Sequence, residues 1–214
     1  MDWQDRADQA IARYRGGEAR GLDQRQLTQL ANSAWAAGLS FVMAGRPDDA
    51  GEWLRTAAGR YRESWDAGAP PDSWGRPIAA LKALLLAGSD SREAARWTLD
   101  AGAAGAESPI GRYAAALAQL VLGDDDEAGR LGGELAGRED FPQPVARALV
   151  ALARADRAAY AGAAADLLAS FEERDDFLED VPVADTLLVL QVLARPRGLL
   201  ARLPASRVLP RTGS

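Results

Sequence analysis

The sequence predicts an all-α chain of about ten helices stacked as antiparallel pairs. Three observations carry that expectation. Apolar residues recur every three or four positions almost throughout, the spacing of an amphipathic helix. No stretch alternates strictly between apolar and polar residues, so no sheet is expected. Of the 214 residues, 48% are apolar, ample for a buried core. One domain is expected over residues 1–203: a capping helix at 1–22, a repeat body at 23–174 and a second capping helix at 182–203, with a flexible tail at 204–214.

The elements follow in order. Asp2 to Arg20 reads as a polar helix with Trp3, Ala7, Ile11 and Tyr14 on one side. Leu27, Leu30, Ala31, Ala34, Trp35, Gly38 and Val42 form the stripe of the next helix, and Ala50, Trp53, Leu54, Ala57, Tyr61 and Trp65 that of the one after. The loop "SWDAGAPPDSWGRP", Ser64 to Pro77, separates it from a helix starting near Arg76. Ser73 is placed to cap that helix, and Pro77 falls in its first turn, where a missing N–H does no harm. Ile110, Tyr113, Leu117, Leu120 and Val121 mark a further helix, and Tyr160, Ala164, Leu167, Leu168 and Phe171 another. "VADTLLVLQVLA" is apolar almost all round, as a helix enclosed by neighbours is. The final "LPASRVLPRTGS" is broken by proline and expected to fray.

Punctuation repeats along the chain. "FVMAGRPDDAGEWL", "LLLAGSDSREAARW" and "QLVLGDDDEAGRLG" each end an apolar helix at Gly45, Gly88 or Gly123, then open a new helix with acids and an alanine. Glycine supplies the left-handed turn, aspartate or serine the next N-cap, and acids in the first turn suit the helix dipole. "ALARADRAAYAGAA" around Asp156 reads as a fourth copy without its glycine. Residues 27–174 in this way resemble the tetratricopeptide repeat, with Ala50, Ala94 and Ala128 at its small contact positions. The resemblance implies a right-handed superhelix, or α-solenoid, of helix pairs.

Composition excludes several function classes. The chain contains neither cysteine nor histidine, which removes thiolate nucleophiles, disulfides, Ser-His-Asp catalysis and imidazole- or thiolate-based metal sites. No apolar run approaches the roughly 18 residues of a membrane span, and the charged N-terminus carries no export signal, so cytoplasmic residence is expected. A net charge of −6 argues against nucleic acid as a partner. From Arg195 onward there are five arginines and no acid, so residues 1–194 carry −11. That arginine run is expected to pair with helix C-termini and the acidic body, an anionic partner being the other use for it.

Two stretches offer candidate chemistry. The Ser64–Pro77 loop holds Trp65 and Trp74, which either close the top of the N-terminal core or anchor a partner. With Trp35, Asp72 and Arg76 they form the candidate partner-binding set; packing is the favoured role of the two tryptophans, and Trp74 is the better candidate for exposure. "FEERDDFLED" is the densest acidic cluster and reads as a solvated helix end leading into a turn before Pro182; on a continuous helix Glu172, Asp176 and Asp180 would share one face. Its "DDFLE" resembles the aspartate-rich motif of isoprenoid synthases, so a magnesium enzyme using Asp175, Asp176 and Glu179 is one alternative reading, without the second metal motif of those enzymes. "GDDDEAG" lacks the ligand spacing of a calcium loop, and its acids serve as capping residues.

"ADTLLVLQVLARPRG", with the terminal "SRVLP", resembles the immunity protein 49 family of bacterial polymorphic-toxin systems. The resemblance implies a cytoplasmic protein that neutralises a cognate toxin by binding it. The leading expectation is thus a non-enzymatic protein-binding module, an immunity protein or adaptor acting through a concave helical-repeat surface, with no cofactor and no catalytic or metal site. Its partner would be another protein, such as a basic toxin or a regulatory protein, and the chain itself a monomer or homodimer. A structural homodimer built on the apolar C-terminal helix is the remaining alternative.

Overall fold

Residues 2–211 are described by a computed structural model, and among them the chain forms ten α-helices and no strand. They are α1 (Trp3–Gly17), α2 (Gln24–Met43), α3 (Pro47–Asp66), α4 (Gly75–Leu86), α5 (Arg92–Asp100), α6 (Pro109–Leu122), α7 (Asp125–Ala136), α8 (Gln143–Ala153), α9 (Arg157–Glu172) and α10 (Asp185–Ala194). Short 3-10 turns occupy Ala103–Gly105 and Leu178–Asp180.

The expected punctuation has a common turn geometry. Gly45, Gly88 and Gly123 all adopt positive φ, at 71°, 63° and 84°. In each turn the next amide reaches back five residues: Arg46 N–H donates to Phe41 O at 3.0 Å, Ser89 to Leu84 at 3.0 Å and Asp124 to Gln119 at 3.0 Å. This bond satisfies carbonyls that the helix end leaves open. The fourth copy closes identically, Asp156 N–H donating to Ala151 O at 2.9 Å, and there Ala155 takes the left-handed conformation at φ 53°. Capping is less uniform than the sequence suggests. Asp124 and Asp156 cap α7 and α9 by accepting from Glu127 N–H (3.2 Å) and Ala159 N–H (3.0 Å). At α3 no side chain caps the first residue, Pro47, which has no N–H to cap, and at α5 the cap comes not from Ser91 but from Asp90, which accepts from Arg92 N–H at 3.0 Å. Ser73 likewise does not cap α4, whose N-cap position is Trp74.

Helices adjacent in sequence pack on one another from α1 to α9, and the first helices of successive pairs also touch, α4 on α6 and α6 on α8. Small residues set the spacing. A Cβ on Gly38 of α2 would lie 3.2 Å from the Leu54 backbone nitrogen of α3, so only glycine permits that approach. Ala50 and Ala128 are buried as expected, whereas at α5 it is Ala95, not Ala94, that is fully enclosed.

Two apolar clusters result. One joins α1–α3 with Trp97, Val181 and Val183; the other runs from Trp74 through α4, α6, α8 and α9 to α10. Trp65, Leu86 and Ala94 pack against both. The C-terminal part departs from a simple linear stack. α10 turns back onto α4, α8 and α9, and the segment expected to fray is docked: Val208 is buried and its carbonyl accepts from Ala184 N–H at 2.9 Å. Residues 212–214 of that tail lie outside the described residues.

Ala155 holds a conformation that disfavours any Cβ. Ala155→Gly is expected to raise stability by about 1 kcal/mol, while Gly123→Ala lowers it by a similar amount, both read from urea denaturation midpoints.

Candidate functional site

The five partner-binding candidates separate sharply. Trp35 and Trp74 are buried, at 3% and 7% exposure, so Trp74, the better candidate for exposure, is packed instead. The reason is local. Gly111 on α6 has no side chain, and a Cβ there would come within 2.9 Å of Trp74 Nε1, so the indole occupies that space. Half-buried Trp65 meets Trp74 at a ring-centroid distance of 5.7 Å and Trp97 edge-on at 6.0 Å. The paired tryptophans thus join the two apolar clusters, the packing role of the two open to them.

Arg76 faces inward as well. Its Nε donates to Ser64 Oγ (2.8 Å) and Thr28 Oγ1 (3.2 Å), and its Nη2 bonds the Gln24 side-chain oxygen. Partial burial lowers its pKa from the ordinary arginine value. It ties α2, the end of α3 and the start of α4 together, so it is a structural residue. Of the five, Asp72 alone is exposed.

The acidic stretch is not one helical face. α9 ends at Glu172, Glu173–Phe177 is a loop, and Glu179 and Asp180 both take positive φ, at 56° and 57°. Glu179 pairs with Arg13 of α1 at 3.3 Å, and Asp180 O accepts from Arg6. Among the described residues no three acidic side chains converge where a metal ion would sit. What the stretch does present is Leu178, 54% exposed and the most exposed large apolar side chain described, beside the exposed acids Glu173, Asp175, Asp176 and Asp180.

A polar site missed in the sequence lies beneath α10. Lys82, buried on α4, pairs with Asp185 and donates to Thr186 Oγ1 at 2.9 Å. Its ammonium also sits 5.8 Å from the centre of the Trp35 ring on α2. The signal was there: the only lysine of the chain interrupts an apolar run from Ile78 to Leu86. At the far end of α10, Arg197 donates to Leu193 O (3.0 Å), Leu120 O (2.9 Å) and Asp125 (2.6 Å). Because α10 is enclosed, with Leu187 and Leu190 fully buried, its main apolar face is already spent inside the chain. Val192 is the exposed large apolar side chain that α10 keeps for a homodimer contact.

Three tyrosines are deeply packed. Burial raises the pKa of Tyr61, Tyr113 and Tyr160, helped at Tyr61 by the charges of Glu179 and Asp185 and at Tyr113 by that of Asp185. Tyr61 donates to Asn32 (2.8 Å) and Tyr160 to Gln191 (3.0 Å), while Tyr113 Oη is buried with no hydrogen-bond partner among the described residues.

No family model matches this chain, and neither the curated proteins nor the solved structures contain a match.

Removing one partner of the buried pair strands the other. Lys82→Met is expected to destabilise the protein by about 3 kcal/mol, with most of the loss recovered in Lys82→Met/Asp185→Leu, measured by chemical denaturation. The raised tyrosines contribute stability below the unfolded phenol pKa of about 10. That stability declines as pH rises from there toward their higher folded values. Ionisation of these phenols should therefore coincide with loss of helical circular dichroism. Normal titration of all three with the helices intact would show that the rings are not enclosed.

Proposed function

We propose that this chain is a non-enzymatic, cytoplasmic protein-binding module: a tetratricopeptide-like right-handed superhelix that neutralises or tethers a basic protein partner. The four matching helix-to-helix turns and the run of contacts from α4 to α6 to α8 support the repeat reading. In such an array those first helices would line the concave face, and α10, which packs on α4 and α8, would cover part of it. A partner therefore meets the rim that α10 leaves open rather than the groove itself.

One observation carries the choice of surface. Leu178 is exposed on a segment that carries the exposed acids Glu173, Asp175, Asp176 and Asp180 with one exposed arginine, Arg174, and that is tied down at Glu179 and Asp180. An apolar anchor inside an acidic rim is suited to a basic protein: the acids steer encounter and the leucine adds buried area. The net charge of −6 works in the same direction. Binding there occludes the partner and requires no chemistry from this chain, which fits the toxin-neutralising role that the C-terminal resemblance implies. An adaptor that tethers a basic regulatory protein would use the same surface.

The direct test is co-purification from the native host, together with the product of the neighbouring reading frame. A stoichiometric complex with a basic protein is expected. Leu178→Ser and Asp175→Asn/Asp176→Asn should each weaken it about tenfold, as loss of a central anchor or of paired charges does, with the melting temperature unchanged because these side chains are exposed. Association should slow as salt is raised. If no stoichiometric partner appears, or if the variants bind as well as the parent, the reading fails.

A further inference from the structure

The arginines of the C-terminal run do not all disappear into internal pairing. Arg197 is consumed beneath α10, and Arg207 gives Nη2 to Glu172 O at 2.7 Å, at the C-terminal end of α9. The backbone around Arg207 then continues through buried Val208 to Arg211, for which the structure records no hydrogen bond or ion pair. This strap forms one wall of a cavity of about 1020 Å³. The start of α1 and the turn between α2 and α3 form the other walls.

The chemistry of that cavity runs against the rest of the chain. It is lined by Arg46, Arg207 and Arg211 with one acid, Asp2, in a protein of net charge −6. Asp2 already accepts from Gln4 N–H at 2.8 Å as the cap of α1. Arg46 is held in place before any ligand arrives. Its guanidinium lies 4.8 Å from the centre of the Phe41 ring, its Nε donates to Asp49 at 2.9 Å, and its Nη1 bonds Gln4 Oε1. That bracing leaves Nη2 without a partner among the described residues. A fixed guanidinium loses little freedom on binding an oxyanion and presents paired donors to it. Trp3 and Leu209 line the same space, so charge and apolar surface share it.

We infer that this cavity is a binding site for a small organic anion carrying a carboxylate or phosphate on an apolar body. The oxyanion meets Arg211, Arg207 and Nη2 of Arg46, and the apolar body lies against Trp3 and Leu209. The inference is independent of the protein-binding surface at Leu178, and the two can fail separately.

The test uses the full chain with phenyl phosphate and phenylacetate as probes, inorganic phosphate and benzyl alcohol as controls, read by calorimetry and thermal shift. At least one aromatic anion is expected to bind saturably and raise the melting temperature. Inorganic phosphate should bind more weakly, and benzyl alcohol should not bind. Whichever aromatic anion binds more tightly identifies the preferred oxyanion. Arg211→Ala, which breaks no internal bond, should weaken that anion about fivefold with the unliganded melting temperature unchanged, and Arg211→Lys should restore part of it. Trp3→Phe should remove the binding-linked change in tryptophan fluorescence. The inference is overturned if neither aromatic anion saturates, if benzyl alcohol or inorganic phosphate binds equally well, or if Arg211→Ala binds like the parent.

Discussion

The position of α10 depends on a single buried charge. Lys82 sits in the middle of an apolar helix, where an unpaired ammonium would be severely destabilising, so its environment must supply oxygen ligands. Asp185 and Thr186 supply them, and both belong to the first turn of α10. An apolar helix such as α10 has many nearly equivalent ways to lie on an apolar surface. The pair selects one, and Arg197 fixes the other end on α6 and α7. Such a pair adds little net stability over a hydrophobic replacement. Its contribution is to register, which decides where everything after residue 181 is placed.

From that register the C-terminal segment follows. With α10 set, Ala184 N–H meets Val208 O, and the strap is drawn across α9 and the start of α1. The lead-in is held equally firmly: Val181 and Val183 enter the N-terminal apolar cluster, while Glu179 and Asp180 accept left-handed backbone to reach Arg13 and Arg6. One cluster therefore receives the lead-in and the other receives the helix. The tryptophan trio of Trp65, Trp74 and Trp97 links the same two clusters from the opposite part of the chain.

What was legible in the sequence divides along the range of the interactions. Helix positions and the glycine turns are set by residues within five or six positions of each other, and both were readable, including the fourth turn at Ala155. The arginine run was readable in part: Arg197 and Arg207 do find helix C-terminal carbonyls. Exposure was not readable where it depends on a distant absence. Trp74 is buried because Gly111, thirty-seven positions later, leaves it room. The acids of 172–180 were readable as a helix end leading into a turn before Pro182, but not the residue at which the helix stops, because neither glycine nor proline marks Glu172. The docked strap was missed because its two prolines read as breakage, whereas extended backbone is what lets Val208 lie beside Ala184.

The distribution of exposed apolar surface then bears on where function resides. The large apolar side chains left most open are Ile110, Leu178, Val192 and Leu200, and three of the four follow residue 177. Residues 23–174, by contrast, leave no tryptophan exposed, and the arginine singled out in the Ser64–Pro77 loop is engaged with neutral oxygens inside the fold. An all-helical fold has little reason to keep a leucine exposed beside acids, or an arginine without a partner among the described residues beside a cavity, unless those positions meet something outside the chain. The body works as the frame. The segment that α10 anchors to it carries the surfaces available for recognition.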